Sequence, residues 1–99
     1  VVAVKMYVNR VGHVHLKDVR LPVLERVHKE NLSFLTAVRE GAFTVPGDGG
    51  FDFRPVFDLL DEANYTGWLL VEAEQDPAKA NPFEYAKMAR KYIAAHTGL

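Results

Sequence analysis

Val1, Val4 and Val8 recur at helical spacing with Lys5 and Asn9 between them, and this spacing predicts a helix over 1–10. The period then shortens. Val11 to Lys17 alternates, which predicts a strand with Val11, His13, His15 and Lys17 on one face and Gly12, Val14 and Leu16 on the other. Pro22 is placed to open a short helix reaching about Glu30, because proline is tolerated in a first turn. Ser33 is the expected cap of a second helix carrying Phe34, Leu35 and Val38, and Gly41 its stop. Val45 to Gly50 packs three glycines and a proline into six residues, so it is loop. Pro55 opens a helix with Val56, Leu59, Leu60 and Ala63 inward and Asp58, Asp61 and Glu62 outward. After a turn at Asn64 to Gly67, Trp68 to Glu74 reads as a strand whose centre is apolar on both faces, as in a buried parallel sheet. Asn81 caps a last helix that has Pro82 at its first position, an apolar stripe of Tyr85, Met88, Ala89 and Tyr92, and Gly98 after its end.

Helix, strand, helices, strand, helix is therefore the expected order. Two strands joined by a helical crossover imply a parallel pair, and such a pair expects neighbours on its edges and faces. The pattern describes a quarter to three-eighths of a barrel, or a small open α/β sheet completed by another chain. The 99 residues allow one domain, and 48% hydrophobic with 25% charged residues excludes a disordered or collagen-like chain. The chain opens on Val1 inside a predicted helix, which suggests a piece of something longer. A net charge of -1 gives no electrostatic reason to expect nucleic acid or an anionic membrane as partner. The longest apolar run, Trp68 to Val71, is strand-length, far below the ~20 residues a bilayer requires. Without cysteine there are no disulfides, zinc fingers or thiol catalysis, a composition compatible with the expected cytoplasmic setting.

Two constellations carry candidate chemistry. His13, His15 and Lys17 share a strand face at its carboxyl end, the end at which barrels build their sites. Imidazole suits zinc, manganese or cobalt, while the plainer reading is a polar groove satisfied by hydrogen bonds. On the second strand Trp68, Leu70, Glu72 and Glu74 share a face, so an apolar face turns acidic where the strand ends. A carboxylate facing a buried interior is costly unless paired or bound to metal, which favours a function for Glu72 over simple solvation. For Glu74 and Asp76 solvation at the strand end stands level with function. Together the strands would supply imidazole and carboxylate to half of a divalent-metal site suited to polarising a hydroxy-ketone. Pro46 to Gly49 lacks the Lys-Ser/Thr of a phosphate-binding P-loop; a tight turn and a substrate-facing lid both remain open. His28 and His96 lie among charges on helices and are expected to be solvated.

Three blocks, Gly12 to Arg20, Phe43 to Gly49, and Gly67-Trp68 with Val71 to Pro82, occur in the order found in the inosose dehydratases, myo-inositol catabolic enzymes acting on 2-keto-myo-inositol, and the chain resembles that family. The Glu-Ala-Glu-Gln-Asp-Pro block at 72–77 is the more specific feature. His-x-His-x-x-Asp and Pro-Gly-x-Gly are shared widely among xylose isomerase-like sugar isomerases and epimerases. The resemblance implies the C-terminal portion of a TIM (β/α)8 barrel, its last two parallel strands with flanking helices. It further implies a metal held by His15 and Glu72, with substrate contacts or their supports at His13, Lys17 and Arg20. Glu74, which shares Glu72's face one step nearer the mouth, is the acid–base candidate, and Lys17 is the second candidate for the chemistry. By the same resemblance the metal is manganese or cobalt, with zinc as a further option, sometimes used with glutathione. The substrate is a small polyol or keto-sugar, turned over by a hydro-lyase, and the partner is the rest of the barrel. Two other readings stand beside it: a ketose isomerase or epimerase of the same superfamily, and a non-catalytic segment that covers its sheet by self-association.

Overall fold

Leu16, Phe53, Phe57 and Ile93 meet in one buried cluster, and the placement of every other element follows from how the chain brings these four together. The computed structural model describes residues 1–99. Helix α1 (Val2–Tyr7) runs into a single 3₁₀ turn at Val8–Arg10 and leads to strand β1 (Val14–Leu16). Strand β2 (Asp18–Val19), helices α2 (Leu21–Lys29) and α3 (Phe34–Arg39), and strand β3 (Phe43–Thr44) follow. Helix α4 (Arg54–Glu62), strand β4 (Leu69–Val71) and helix α5 (Pro82–Thr97) complete the chain.

β1 and β4 pair in parallel, with Val14 opposite Leu69, His15 opposite Leu70 and Leu16 opposite Val71. One face of the pair presents Val14, Leu16, Leu69 and Val71 to α4 and α5, where they pack on the aromatic cluster. The other face presents His15 and Leu70, both exposed. The alternation of the first strand is thus realised as read. The expected helices are all formed, and two caps act as the residue types require. Ser33 Oγ accepts the N–H of Thr36, and Asn81 Oδ1 accepts those of Phe83 and Glu84. Gly98 ends α5 in the left-handed region at φ 74°. No helix is long and apolar enough to cross a membrane.

Four expectations need correction. Both long strands are shorter than their patterns, because each has only the other to pair with. The ladder closes with the N–H of Glu72 on the carbonyl of Leu16. A second sheet, antiparallel β2–β3 with Asp18 opposite Thr44, was absent from the expected order; two-residue strands are too short to display a period. In α4 the deepest residues are Phe57 and Leu60, while Val56, Leu59 and Ala63 are only half-buried. In α5 Met88 faces solvent at 38% exposure and Ile93 takes the core position beside Ala89.

The glycine loop is a fitted turn. Gly47 sits at φ 95°, and a Cβ there would fall 2.8 Å from the ring of Tyr92. A Cβ at Gly49 would collide with the carboxylate of Asp18 and the carbonyl of Val19.

Leu16→Ala should cost ~2–5 kcal/mol by opening the cluster, whereas Met88→Ala should stay within ~0.5 kcal/mol. Urea unfolding followed by far-ultraviolet circular dichroism ranks the two, and a reversed order overturns this assignment of faces.

Candidate active site

At the carboxyl end of the parallel pair, alternation turns His15 and Lys17 away from the core and toward β4. The chain places Glu72 directly after β4, so its carboxylate meets both. His15 Nδ1 lies 2.9 Å from Glu72 Oε2, and Lys17 Nζ lies 3.5 Å from Glu72 Oε1. Lys17 also forms an ion pair with Glu74 Oε2. Its ammonium sits 4.6 Å from the centre of the Phe43 ring, a cation–π contact that holds it between the two carboxylates. The site residues are partly open to solvent, with 49% of the His15 side chain, 41% of Glu72 and 28% of Lys17 exposed. His13 is exposed and lies edge-on to His15, with ring centres 5.0 Å apart.

The electrostatics follow from these contacts. The His15 hydrogen bond, then the Lys17 charge, hold the Glu72 carboxyl below its ordinary pKa. An ionised Glu72 can only accept, so the proton in this contact belongs to His15 Nδ1, and the lone pair of a neutral ring lies on Nε2. The Lys17 ammonium is pushed up, chiefly by its hydrogen bond to Glu74 and against the opposing effect of burial. Lys17 is therefore a cation at neutral pH, fitted to donate a hydrogen bond or offset negative charge rather than to act as a base.

A divalent metal would find a suitable but partial donor set: one imidazole and one carboxylate on neighbouring strands. Nowhere does the chain gather three or more His, Cys, Asp or Glu side chains fit to hold an ion. The remaining ligands would have to come from other strands.

Arg20 stands apart from this cluster. Its Nη1 donates to the carbonyls of Gly41 and Phe43 at 2.8 and 3.0 Å. Its Nη2 is directed at Asp48 Oδ2 and Gln75 Oε1, both at 3.0 Å, and at the Tyr85 hydroxyl at 3.1 Å. The substrate contact that the resemblance implies for Arg20 thus meets a guanidinium whose terminal nitrogens already face protein acceptors. Pattern reading missed Asp48, Gln75 and Tyr85 as members of this network, because the first lay in a glycine turn and the last on a helical core stripe. No local spacing signals such a convergence. Asp18, 1% exposed, accepts the N–H groups of Val19 and Phe51 through Oδ1 and ties the glycine loop to β2. His28 and His96 are exposed, as their helices suggested.

Comparison with known proteins gives a consistent answer. A family model described as xylose isomerase-like TIM barrel matches residues 2–96. The chain is 70% identical over 92 residues to an inosose dehydratase of Clostridium beijerinckii, covering 93% of this chain and 31% of that protein. It is 63% identical over 95 residues to an inosose dehydratase of Klebsiella pneumoniae, with 96% and 32% covered. An inosose dehydratase of Geobacillus thermodenitrificans is 62% identical over 93 residues, with 94% and 31% covered. The chain spans about a third of the length of the curated relatives it matches.

The Glu72 shift fixes the sign of a pH dependence. A carboxyl lowered in the folded state contributes stability that is present above its unfolded pKa and lost as pH falls through the folded value. The raised Lys17 contributes below its unfolded pKa and loses that contribution as pH rises through its folded value. The cluster should therefore be tightest across the middle pH range and loosen at both ends. His15→Ala and Lys17→Met should each raise the Glu72 carboxyl pKa, because the imidazole hydrogen bond is the largest single cause of its lowering and the Lys17 charge and hydrogen bond come next. Carbon-13 titration of the glutamate side chains reads both, and a Glu72 carboxyl unmoved by either change refutes the assignment.

Proposed function

The chain belongs to the xylose isomerase-like TIM barrel family, and we propose that it forms one wall of the active site of a metal-dependent hydro-lyase dehydrating 2-keto-myo-inositol. The observation that carries this reading is the meeting of His15 and Glu72 at 2.9 Å across the carboxyl ends of two parallel strands. Barrel enzymes build their sites at that end. The names of the relatives supply the reaction class, and the strands that complete the barrel supply the rest of the site.

In this reading His15 and Glu72 would hold a divalent manganese or cobalt ion in place of the proton that His15 Nδ1 otherwise donates to Glu72. When bound, such an ion polarises a ketone together with its neighbouring hydroxyl and makes the adjacent C–H acidic. The chain's own residues then have separable tasks. Glu74 exchanges the proton, removing it from the substrate carbon or returning one to the departing hydroxyl. Lys17, kept cationic between two carboxylates, orients Glu74 and offsets negative charge on substrate oxygen. His13 faces the open side beside His15, where a polyol hydroxyl would hydrogen-bond to it. Arg20 supports the mouth of the site.

A second reading has its own observation. Leu70 is 45% exposed on the same face as His15 and Trp68, just before β4, is 80% exposed, so this part of the sheet lacks cover within the chain. Self-association would bury it, and sedimentation should then show mass rising with concentration; a concentration-independent monomer with a cooperative melt removes that reading.

The functional reading is tested with the 99-residue chain alone and with a chimera in which these residues replace the matched stretch of the Clostridium beijerinckii relative. The chain alone should bind manganese weakly and be inactive, since two ligands compete poorly with water. In the chimera His15→Ala and Glu72→Ala should each abolish turnover and lower bound metal. Glu74→Gln should keep the metal and slow turnover ~10²–10⁴-fold. Reconstitution with manganese, cobalt and zinc, with and without glutathione, identifies the cofactors, and a panel of ketoses separates dehydration from isomerisation or epimerisation. Full activity of His15→Ala at normal metal content would overturn the ligand assignment.

A further inference from the structure

Within these 99 residues the segment that bears the acid–base candidate has almost no main-chain support. β4 ends at Val71, and the N–H of Glu72 makes the last bond to β1, 3.0 Å from the carbonyl of Leu16. Ala73, Glu74 and Gln75 make no main-chain hydrogen bond at all, and the next begins only where Asp76 accepts from Lys79 and Ala80. What fixes this stretch is its side chains. Glu72 and Glu74 reach Lys17 on one side, and Gln75 reaches Arg20 on the other.

Arg20 is in turn the most heavily bonded side chain of the molecule, and none of its other partners moves easily. The carbonyls of Gly41 and Phe43 belong to the main chain entering β3. Asp48 accepts from Arg20 and, through the same Oδ2, from the hydroxyl of the fully buried Thr44 at 2.6 Å. The turn that carries Asp48 is wedged against Tyr92 at Gly47 and against Asp18 at Gly49. The Tyr85 hydroxyl adds a contact from α5. A rigid frame of β3, the glycine turn and α5 therefore ends in one guanidinium, and that guanidinium grips the loose segment one residue away from Glu74.

We propose that Arg20 is a positioning residue, acting through Gln75 to hold the irregular stretch 73–76, and with it Glu74, at the mouth of the site. The geometry stands on the contacts above; its catalytic meaning rests on the proposed role of Glu74. Fork geometry is what the task demands. A lysine ammonium in place of the guanidinium would serve as a point charge and could not span carbonyls, carboxylate and amide at once.

The test separates the two levels. In the 99-residue chain, nitrogen-15 relaxation should show the amides of 73–76 rigid, with order parameters near ~0.85, and falling below ~0.6 in Arg20→Lys and Gln75→Leu. The β4 amides should be unchanged. Gln75→Glu keeps an acceptor for the guanidinium and should restore the order, which a merely space-filling role would not require. If Arg20→Lys does not fold, the Gln75 pair still decides. Unchanged order at 73–76 in Gln75→Leu, or an equal loss of order through β4, overturns the proposal. In the chimera, Gln75→Leu should lower kcat ~10²-fold with KM and bound metal unchanged, and Gln75→Glu should recover it. Order lost with kcat intact would uphold Arg20 as the clamp and remove Glu74 from the chemistry, so that outcome counts against the proposed function alone.

Discussion

The parallel register of His15 opposite Leu70 and Leu16 opposite Val71 decides which side of the molecule is apolar and which carries charge. Alternation along a strand has period two, so seating Leu16 on Phe53, Phe57 and Ile93 obliges His15 and Lys17 to face the other way. The same holds for β4, where burying Leu69 and Val71 turns Leu70 and then Glu72 outward from the core. A slip of one residue in either strand would send Leu16 or Val71 to the site and a charged group into the aromatic cluster. The hydrophobic core therefore sets the geometry of the polar face, and the polar groups need only be placed at the correct parity.

Beyond the ends of the strands a different principle takes over. The segments 17–20 and 41–50 share only the short β2–β3 ladder, 72–76 joins neither of them by main-chain bonds, and ionic and hydrogen-bonded side chains hold the three together. Arg20 joins main-chain carbonyls, a carboxylate, an amide and a phenol; Asp18 joins two backbone N–H groups. Charge-assisted bonds of this kind are directional, so they fix position without requiring a buried apolar surface. The arrangement leaves the mouth of the site polar while keeping it shaped.

Those two regimes explain how much was legible in the sequence. Whatever depends on a repeat or a capping residue could be read: the strand faces at His13 to Lys17, the parallel pairing, and the caps at Ser33 and Asn81; the approach of His15 to Glu72 followed from strand parity together with the family resemblance. The depth of Phe57 against Val56, or of Ile93 against Met88, depends on how α4 and α5 are rotated about their axes, which a broad apolar stripe leaves undetermined. The β2–β3 pair was invisible because two residues carry no period. The Arg20 network was invisible for another reason. Its members are separated by up to 65 residues and are joined by tertiary closure alone, and each looks ordinary in its own neighbourhood.

The exposed face of the sheet has one more consequence. Trp68 is the only tryptophan, and it stands 80% open beside the groove between β4 and α5. An indole in water emits at longer wavelength than one surrounded by hydrocarbon. Any strand or protomer that closes over the start of β4 must dehydrate that ring, so the molecule contains an intrinsic optical reporter of its own completion, located at the opposite end of β4 from Glu72.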